Sequence, residues 1–180
     1  MVDELLRECR QPRAEPAEGM VVVDLFGGIG TSLVALMRAG IRVRKYHLCD
    51  IDPVARDIAA ANVRRLHRRY PHLLPASAVE NIFELPQDVE KIDGKTLRAL
   101  GRVDLMLAAF PCQGLSRASR HAKGLSDARS GLFWEGVRVW KALRRSNPLM
   151  HHLFENVMFQ DRKEAHFQRD FKTVCDILGQ

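Results

Sequence analysis

Residues 20–30 read Met20-Val21-Val22-Val23-Asp24-Leu25-Phe26-Gly27-Gly28-Ile29-Gly30, an apolar run broken only by Asp24 and closed by three glycines. A strand covered on both faces has no polar side to alternate, so such a run predicts a buried parallel strand that ends in a tight turn. Residues 31–39 then carry a helix that Gly40 stops. The same alternation continues outward. A second strand is expected over 43–49. The helix behind Pro53 places Ala55, Ala59, Val63, Leu66 and Tyr70 on one face and Arg64, Arg65, Arg68 and Arg69 on the other.

Pro71 and Pro75 close that helix. A weak strand is expected around 76–82 and a stronger one over 103–110, ending at Pro111. Phe133, Val137, Trp140 and Leu143 mark an amphipathic helix. A short strand follows over 149–154, and Phe167, Phe171, Val174 and Leu178 mark a last helix. Strands alternating with helices predict an α/β fold with a mostly parallel sheet and helices on both faces. Ligands of such sheets gather at the carboxyl ends of the strands. Residues 1–19 mix charge with Pro12, Pro16 and Gly19 and read as a tail and linker; residues 20–180 form one unit.

The 180 residues carry 28 Lys and Arg against 22 Asp and Glu, and the net +6 suits an anionic partner without proving one. Cys9, Cys49, Cys112 and Cys175 form no CxxC pair, which argues against a zinc site or a disulfide framework and for a reducing, intracellular setting. Cys49 and Cys175 read as buried side chains. No apolar run has the length of a membrane span, and residues 1–10 lack the apolar centre of a signal peptide.

Glycines at the strand-to-helix turn let backbone amides approach a ligand, although such a turn serves equally well as a plain tight turn. Asp50, at the end of the second strand and 20 residues past Gly30, strengthens the ligand reading, because an acid at that place accepts hydrogen bonds from ribose hydroxyls. Gly27, Gly28 and Gly30 depart from the dinucleotide pattern, so NAD is not favoured. Asp52 reads as the cap of the helix behind Pro53. At the far edge, Pro111-Cys112-Gln113-Gly114 follows one strand and Glu155-Asn156-Val157 the next, so a thiol and an acid converge on one sheet edge. A carboxyl set against a low-dielectric wall has its pKa raised, as a proton donor near neutrality requires. Taken singly, the thiol also fits a small core residue and the acid a structural ion pair.

These three segments, residues 24–30, 111–113 and 155–157, in this order and each after a strand, resemble the signature segments of the cytosine-5 DNA methyltransferases. Lys123-Gly124-Leu125 and Gly131-Leu132-Phe133 are similar to the eukaryotic de novo type. The resemblance implies a Rossmann-like methyltransferase fold with S-adenosyl-L-methionine as cofactor. Its methionine end would lie near Asp24, Leu25, Phe26, Gly27, Gly28, Ile29, Gly30 and Pro111, its ribose on Asp50, and its adenine against Ile51. The family carries an acid near the end of the third strand for the adenine amino group; Ala78 aligns there, with Glu80 or Asn81 as substitutes.

The resemblance further implies that Cys112 adds to cytosine C6, that Glu155 protonates or hydrogen-bonds N3, and that Asn156 holds the active-site backbone. The base must first leave the duplex. Arg117, Lys123 and Arg129, with Arg120, sit in a polar segment, 114–130, read as a mobile loop over the DNA backbone. Arg138, Lys141 and Arg145 read as solvent-exposed. Later strands, an arginine-bearing segment, a target recognition domain and a C-terminal segment of the cofactor pocket find no room in residues 158–180. The chain is therefore expected to be C-terminally incomplete, to be inactive alone, and to pair with a complementing or regulatory methyltransferase chain as well as with DNA. A transfer-RNA cytosine-5 methyltransferase and a non-catalytic accessory module are the rival readings. The expected compartment is the nucleus in a eukaryote and the cytoplasm in a bacterium.

Overall fold

The computed structural model describes residues 18–116, 118–119, 122–159 and 163–179. Four strands, β1 (Met20–Leu25), β2 (Val43–Cys49), β3 (Leu105–Ala108) and β4 (His151–Phe154), form one sheet in the order β2-β1-β3-β4. All three pairings are parallel. Parallel neighbours need crossovers, and helices supply them: α1 (Thr31–Arg38) between β1 and β2, α2 (Pro53–Arg69) after β2, and α5 (Phe133–Ser146) between β3 and β4. Two short helices, α3 (Ser77–Glu80) and α4 (Gly94–Ala99), lie in the long connection to β3, and α6 (Ala165–Leu178) follows β4.

Side chains alternate across the sheet, so β1 feeds two cores. Val21, Val23 and Leu25 face α5 through Val137, Trp140 and Leu143, while Val22 faces α1 and α2 through Leu33, Met37, Ala59 and Val63. Of the predicted face on α2, Ala59, Val63 and Leu66 are buried in the core and Tyr70 packs against it, while Ala55 joins neither core. Asp52 caps this helix by accepting from Val54 N at 2.8 Å and Ala55 N at 3.4 Å.

Two expectations are corrected. Residues 76–82 form no strand. Pro75 leads into the single turn of α3, where Ala78 is buried against β2, and Leu48 N donates to Ile82 O at 2.7 Å only after that turn. Cys175 is exposed, because the apolar stripe of α6 runs through Phe167, Phe171 and Val174 and turns the thiol outward; Cys49 is buried. Cys9 lies outside the described residues.

Candidate active site

The carboxyl ends of all four strands open into a single cleft of about 600 Å³. Phe26 reaches it from β1, Cys49, Asp50 and Ile51 from β2, Pro111 and Cys112 from β3, and Glu155 and Asn156 from β4. The order β2-β1-β3 places the chain's reversal of direction between β1 and β3, where crossovers leave to opposite faces and a crevice forms.

On the β1–β2 side the turn is held by the acids. Gly28 and Gly30 adopt φ of 52° and 77°, and Phe26 shares this left-handed region at 57°. A non-glycine residue there is uncommon. Asp50 fixes the turn by accepting from Gly28 N at 2.8 Å with one carboxylate oxygen and from Asp52 N at 2.9 Å with the other. Asp24 is buried beneath the turn, and its carboxylate accepts from Ser32 Oγ and Tyr46 OH. Burial pushes its pKa up to about 6 against the opposing effect of those two donors.

Not every expected cofactor residue reaches the cleft. Phe26, Asp50, Ile51 and Pro111 line it. Asp24 and Leu25 are interior, and Gly27, Gly28, Ile29 and Gly30 build the turn without lining the cleft. Ile51 is 72% exposed, an apolar face turned to the opening. The acid expected at Ala78, Glu80 or Asn81 is not at the cleft, because Ala78 is core and Glu80 and Asn81 line a separate groove beside α2. Asp88 and Val89 stand at the cleft instead, next to Gln87, whose side chain accepts from Asp50 N at 3.4 Å.

On the β3–β4 side, Asn156 Nδ2 donates to Phe110 O at 2.7 Å and Glu155 N donates to Ala108 O at 3.0 Å, which ties the end of β4 to the loop carrying Cys112. Ser130 clamps the same loop from the other flank. It is fully buried, donates to Pro111 O at 3.2 Å and accepts from Gly114 N at 2.9 Å. Only glycine fits at position 114, since a Cβ would stand 2.4 Å from Asp127 Cβ and 2.8 Å from Gly124 O. The segment expected as an open loop is thus anchored at both described ends, with Leu115, Leu125 and Ser130 buried and Leu125 N donating to Asp170 at 2.8 Å.

Two thiols border the cleft, and they differ. Burial pushes the Cys49 thiol up to about 12, with Asp50 and Asp88 adding to the shift, so it stays protonated and unreactive near neutrality. Cys112 is half-buried at the mouth. Glu155 is exposed, so the described residues do not supply the low-dielectric wall expected around it. Arg129 lines the cleft and is held by Asp127 through contacts of 3.1 and 3.2 Å. Lys123 is exposed outside it, while Arg117 and Arg120 lie outside the described residues. Among the described residues no group of His, Cys, Asp and Glu is placed to hold a metal, and no helix is long and apolar enough to cross a membrane.

Comparison with known proteins adds four findings. The family model described as C-5 cytosine-specific DNA methylase matches residues 20–179. The DNA (cytosine-5)-methyltransferase DRM1 of Arabidopsis thaliana is 30% identical over 132 residues, 71% of this chain and 19% of that protein. The type II methyltransferase M2.BsuMI of Bacillus subtilis strain 168 is 29% identical over 143 residues, 79% of this chain and 30% of that protein. The chain thus spans less than a third of either relative. In fold it is similar to the crystal structure of the S. pombe Dnmt2 methyltransferase, with a TM-score of 0.54 and 24% identity over 87% of this chain and 41% of that one.

Proposed function

The chain belongs to the C-5 cytosine-specific DNA methylase family, and on that premise we propose that it carries the cofactor cleft and the nucleophile of a DNA cytosine-5 methyltransferase. The observation that carries this reading is the convergence of Cys112 and Glu155, from the ends of adjacent strands, on the cleft that Asp50 and Ile51 border on its other side.

The cleft's residues fit S-adenosyl-L-methionine. Asp50 and Asp88 offer carboxylates to ribose hydroxyls and a ring amino group, and the same pair repels phosphates, against a dinucleotide. Ile51 and Val89 offer apolar faces to an adenine, and Phe26 and Pro111 border the route toward Cys112. When bound, the cofactor supplies an activated methyl group.

Cytosine C5 is too weak a nucleophile to take that methyl group unaided. The Cys112 thiolate adds to C6, forming the S–C6 bond, while Glu155 donates a proton or hydrogen bond to N3 and draws the displaced electrons into the ring. C5 then gains the methyl group; solvent takes the C5 proton, whose bonding electrons re-form the C5–C6 double bond as the S–C6 bond breaks, the proton lent to N3 returns to Glu155 and the thiolate is regenerated. Asn156 and Ser130 hold the loop backbone so that the thiol stays at the mouth throughout.

The β4 edge is the place for a complementing chain. β4 pairs only with β3 among the described residues, and Leu149, Leu153 and Met158 beside it are 60%, 59% and 68% exposed. On this reading residues 1–180 alone transfer no methyl groups to unmethylated duplex DNA, and transfer appears when a second polypeptide covers that edge. Robust Cys112-dependent turnover by the chain alone overturns the need for a partner. Transfer to transfer RNA in preference to duplex DNA, measured with labelled cofactor, overturns the DNA assignment.

A further inference from the structure

The formal charge of this chain is not spread evenly. Between residues 38 and 72, nine Arg and Lys face three Asp and Glu, an excess of six that equals the +6 of the whole chain. The remainder is balanced, so one region carries all of the excess.

The fold gathers that region at one end. α2 starts beside the cleft at Pro53 and runs away from it for roughly 24 Å to Arg69, at about 1.5 Å per residue. Arg65, Arg68 and Arg69 therefore stand at the end of the sheet opposite the active site. β2 begins at that same end, where Val43 N donates to Leu73 O at 2.8 Å and Ile41 N donates to Leu36 O at 3.0 Å. These bonds bring Arg42 and Arg44 beside the end of α2 and Arg38 beside both. Arg64 is left out of the set, because it shares a groove with Glu80 and Glu84. None of the six arginines forms an ion pair with a described carboxylate; Arg69 instead lies over the Tyr70 ring at 5.7 Å.

From this arrangement we infer that Arg38, Arg42, Arg44, Arg65, Arg68 and Arg69 form a second nucleic-acid surface, which binds the sugar-phosphate backbone of a duplex DNA segment other than the one whose base enters the cleft. Three features select phosphate. The positive side chains are almost all arginine, whose planar fork pairs two phosphate oxygens at once. A protein interface has an apolar centre, yet no exposed large hydrophobic side chain falls between Ile58 and Phe83. The surface also lies too far from the cleft to grip the flanks of a straight duplex seated there. That DNA is the polyanion rests on the function proposed above.

The test is fluorescence anisotropy of a labelled 14-base-pair duplex with the full chain over a series of salt concentrations, without cofactor. Arg65→Ala, Arg68→Ala and Arg69→Ala together are expected to weaken binding at least tenfold at low salt. They should also flatten the slope of log affinity on log salt by about 2–3, since each lost phosphate contact removes about 0.9. The matching lysine triple is expected to keep most of the slope. The alanine triple should retain its melting transition and, with the β4 edge covered by a complementing polypeptide, its Cys112-dependent trapping of a substrate base, so a failure of the methyltransferase reading registers separately. An unchanged slope in the folded alanine triple overturns the inference, as does equal affinity of the surface for polyglutamate.

Discussion

Ser130→Ala isolates the clamp on the nucleophile loop. The hydroxyl is fully buried and makes two bonds, donating to Pro111 O at 3.2 Å and accepting from Gly114 N at 2.9 Å. Removing it strands a buried N–H and takes a donor from a half-buried carbonyl. A lost hydrogen bond is worth about 0.5–1.5 kcal/mol and an abandoned buried group about 1–3. Asp127 and Gly124 crowd the space beside Gly114 where a side chain would stand, which holds this stretch of backbone in place. The expected cost is therefore about 2 kcal/mol, or roughly 4–8 °C in Tm at this size. Urea denaturation measures it, with Ser126→Ala as control, because that exposed hydroxyl serves only Lys123 O and its loss should stay within about 0.5 kcal/mol. Released, the loop should also slow Cys112 adduct formation while leaving cofactor affinity intact. A Ser130→Ala protein as stable as the Ser126→Ala control refutes the clamp.

Three further predictions follow from the same geometry. The folded pKa of Asp24, about 6, stands above its ordinary 3.8, so the stability this group confers is full below about 3.8 and is lost as pH rises through about 6. Asp24→Asn removes that loss, and the difference between wild-type and variant denaturation curves should change by up to about 3 kcal/mol between pH 4 and 7; a difference independent of pH refutes the assignment. Asp50→Ala should weaken S-adenosyl-L-methionine binding by about 1.5–3 kcal/mol in titration calorimetry, whereas Asp52→Ala should cost about 1 kcal/mol of stability and little affinity; the reverse pattern means the wrong acid was assigned to the ribose. Glu155→Gln should slow transfer in the complemented enzyme by orders of magnitude without abolishing it, since an amide still hydrogen-bonds N3 but cannot donate a full proton, and an unchanged rate assigns Glu155 a structural role.

The centre of the parallel sheet was legible because β1 and β3 are short apolar runs bounded by glycine or proline, and the helices because residues such as Ala59, Val63 and Leu66 repeat at helical spacing. The stretch from 76 to 99 was not. Its apolar residues Ala78, Ile82, Leu85, Val89 and Ile92 step by four, three, four and three as in a helix, yet Pro86 interrupts the run and they fasten turns and short helices to two different cores, Ala78 and Ile82 to one and Leu85, Val89 and Ile92 to the other. The acid at the cleft was missed for that reason. Asp88 caps a short turn, accepting from Glu90 N at 3.1 Å. Its place at the cleft comes from the path of the chain across the end of β2. Ser130 and Gly114 left no local signal either, since they meet across 16 residues. Cys112, Glu155 and Asn156 could be placed at one sheet edge because each lies within four residues of a strand's end, and the ends of adjacent parallel strands lie together.

The central claim, that Cys112 is the attacking thiol of a cytosine-5 methyltransferase cleft, is tested most directly by trapping. The chain, with a polypeptide covering the β4 edge, is incubated with S-adenosyl-L-methionine and a duplex carrying 5-fluorocytosine. The fluorine cannot leave as a proton does, so the base stays bound to the enzyme. Intact-protein mass spectrometry with peptide mapping should show one methylated oligonucleotide strand attached at Cys112 and none in Cys112→Ala. An adduct at another residue, an adduct undiminished in Cys112→Ala, or none with the complemented chain contradicts the account.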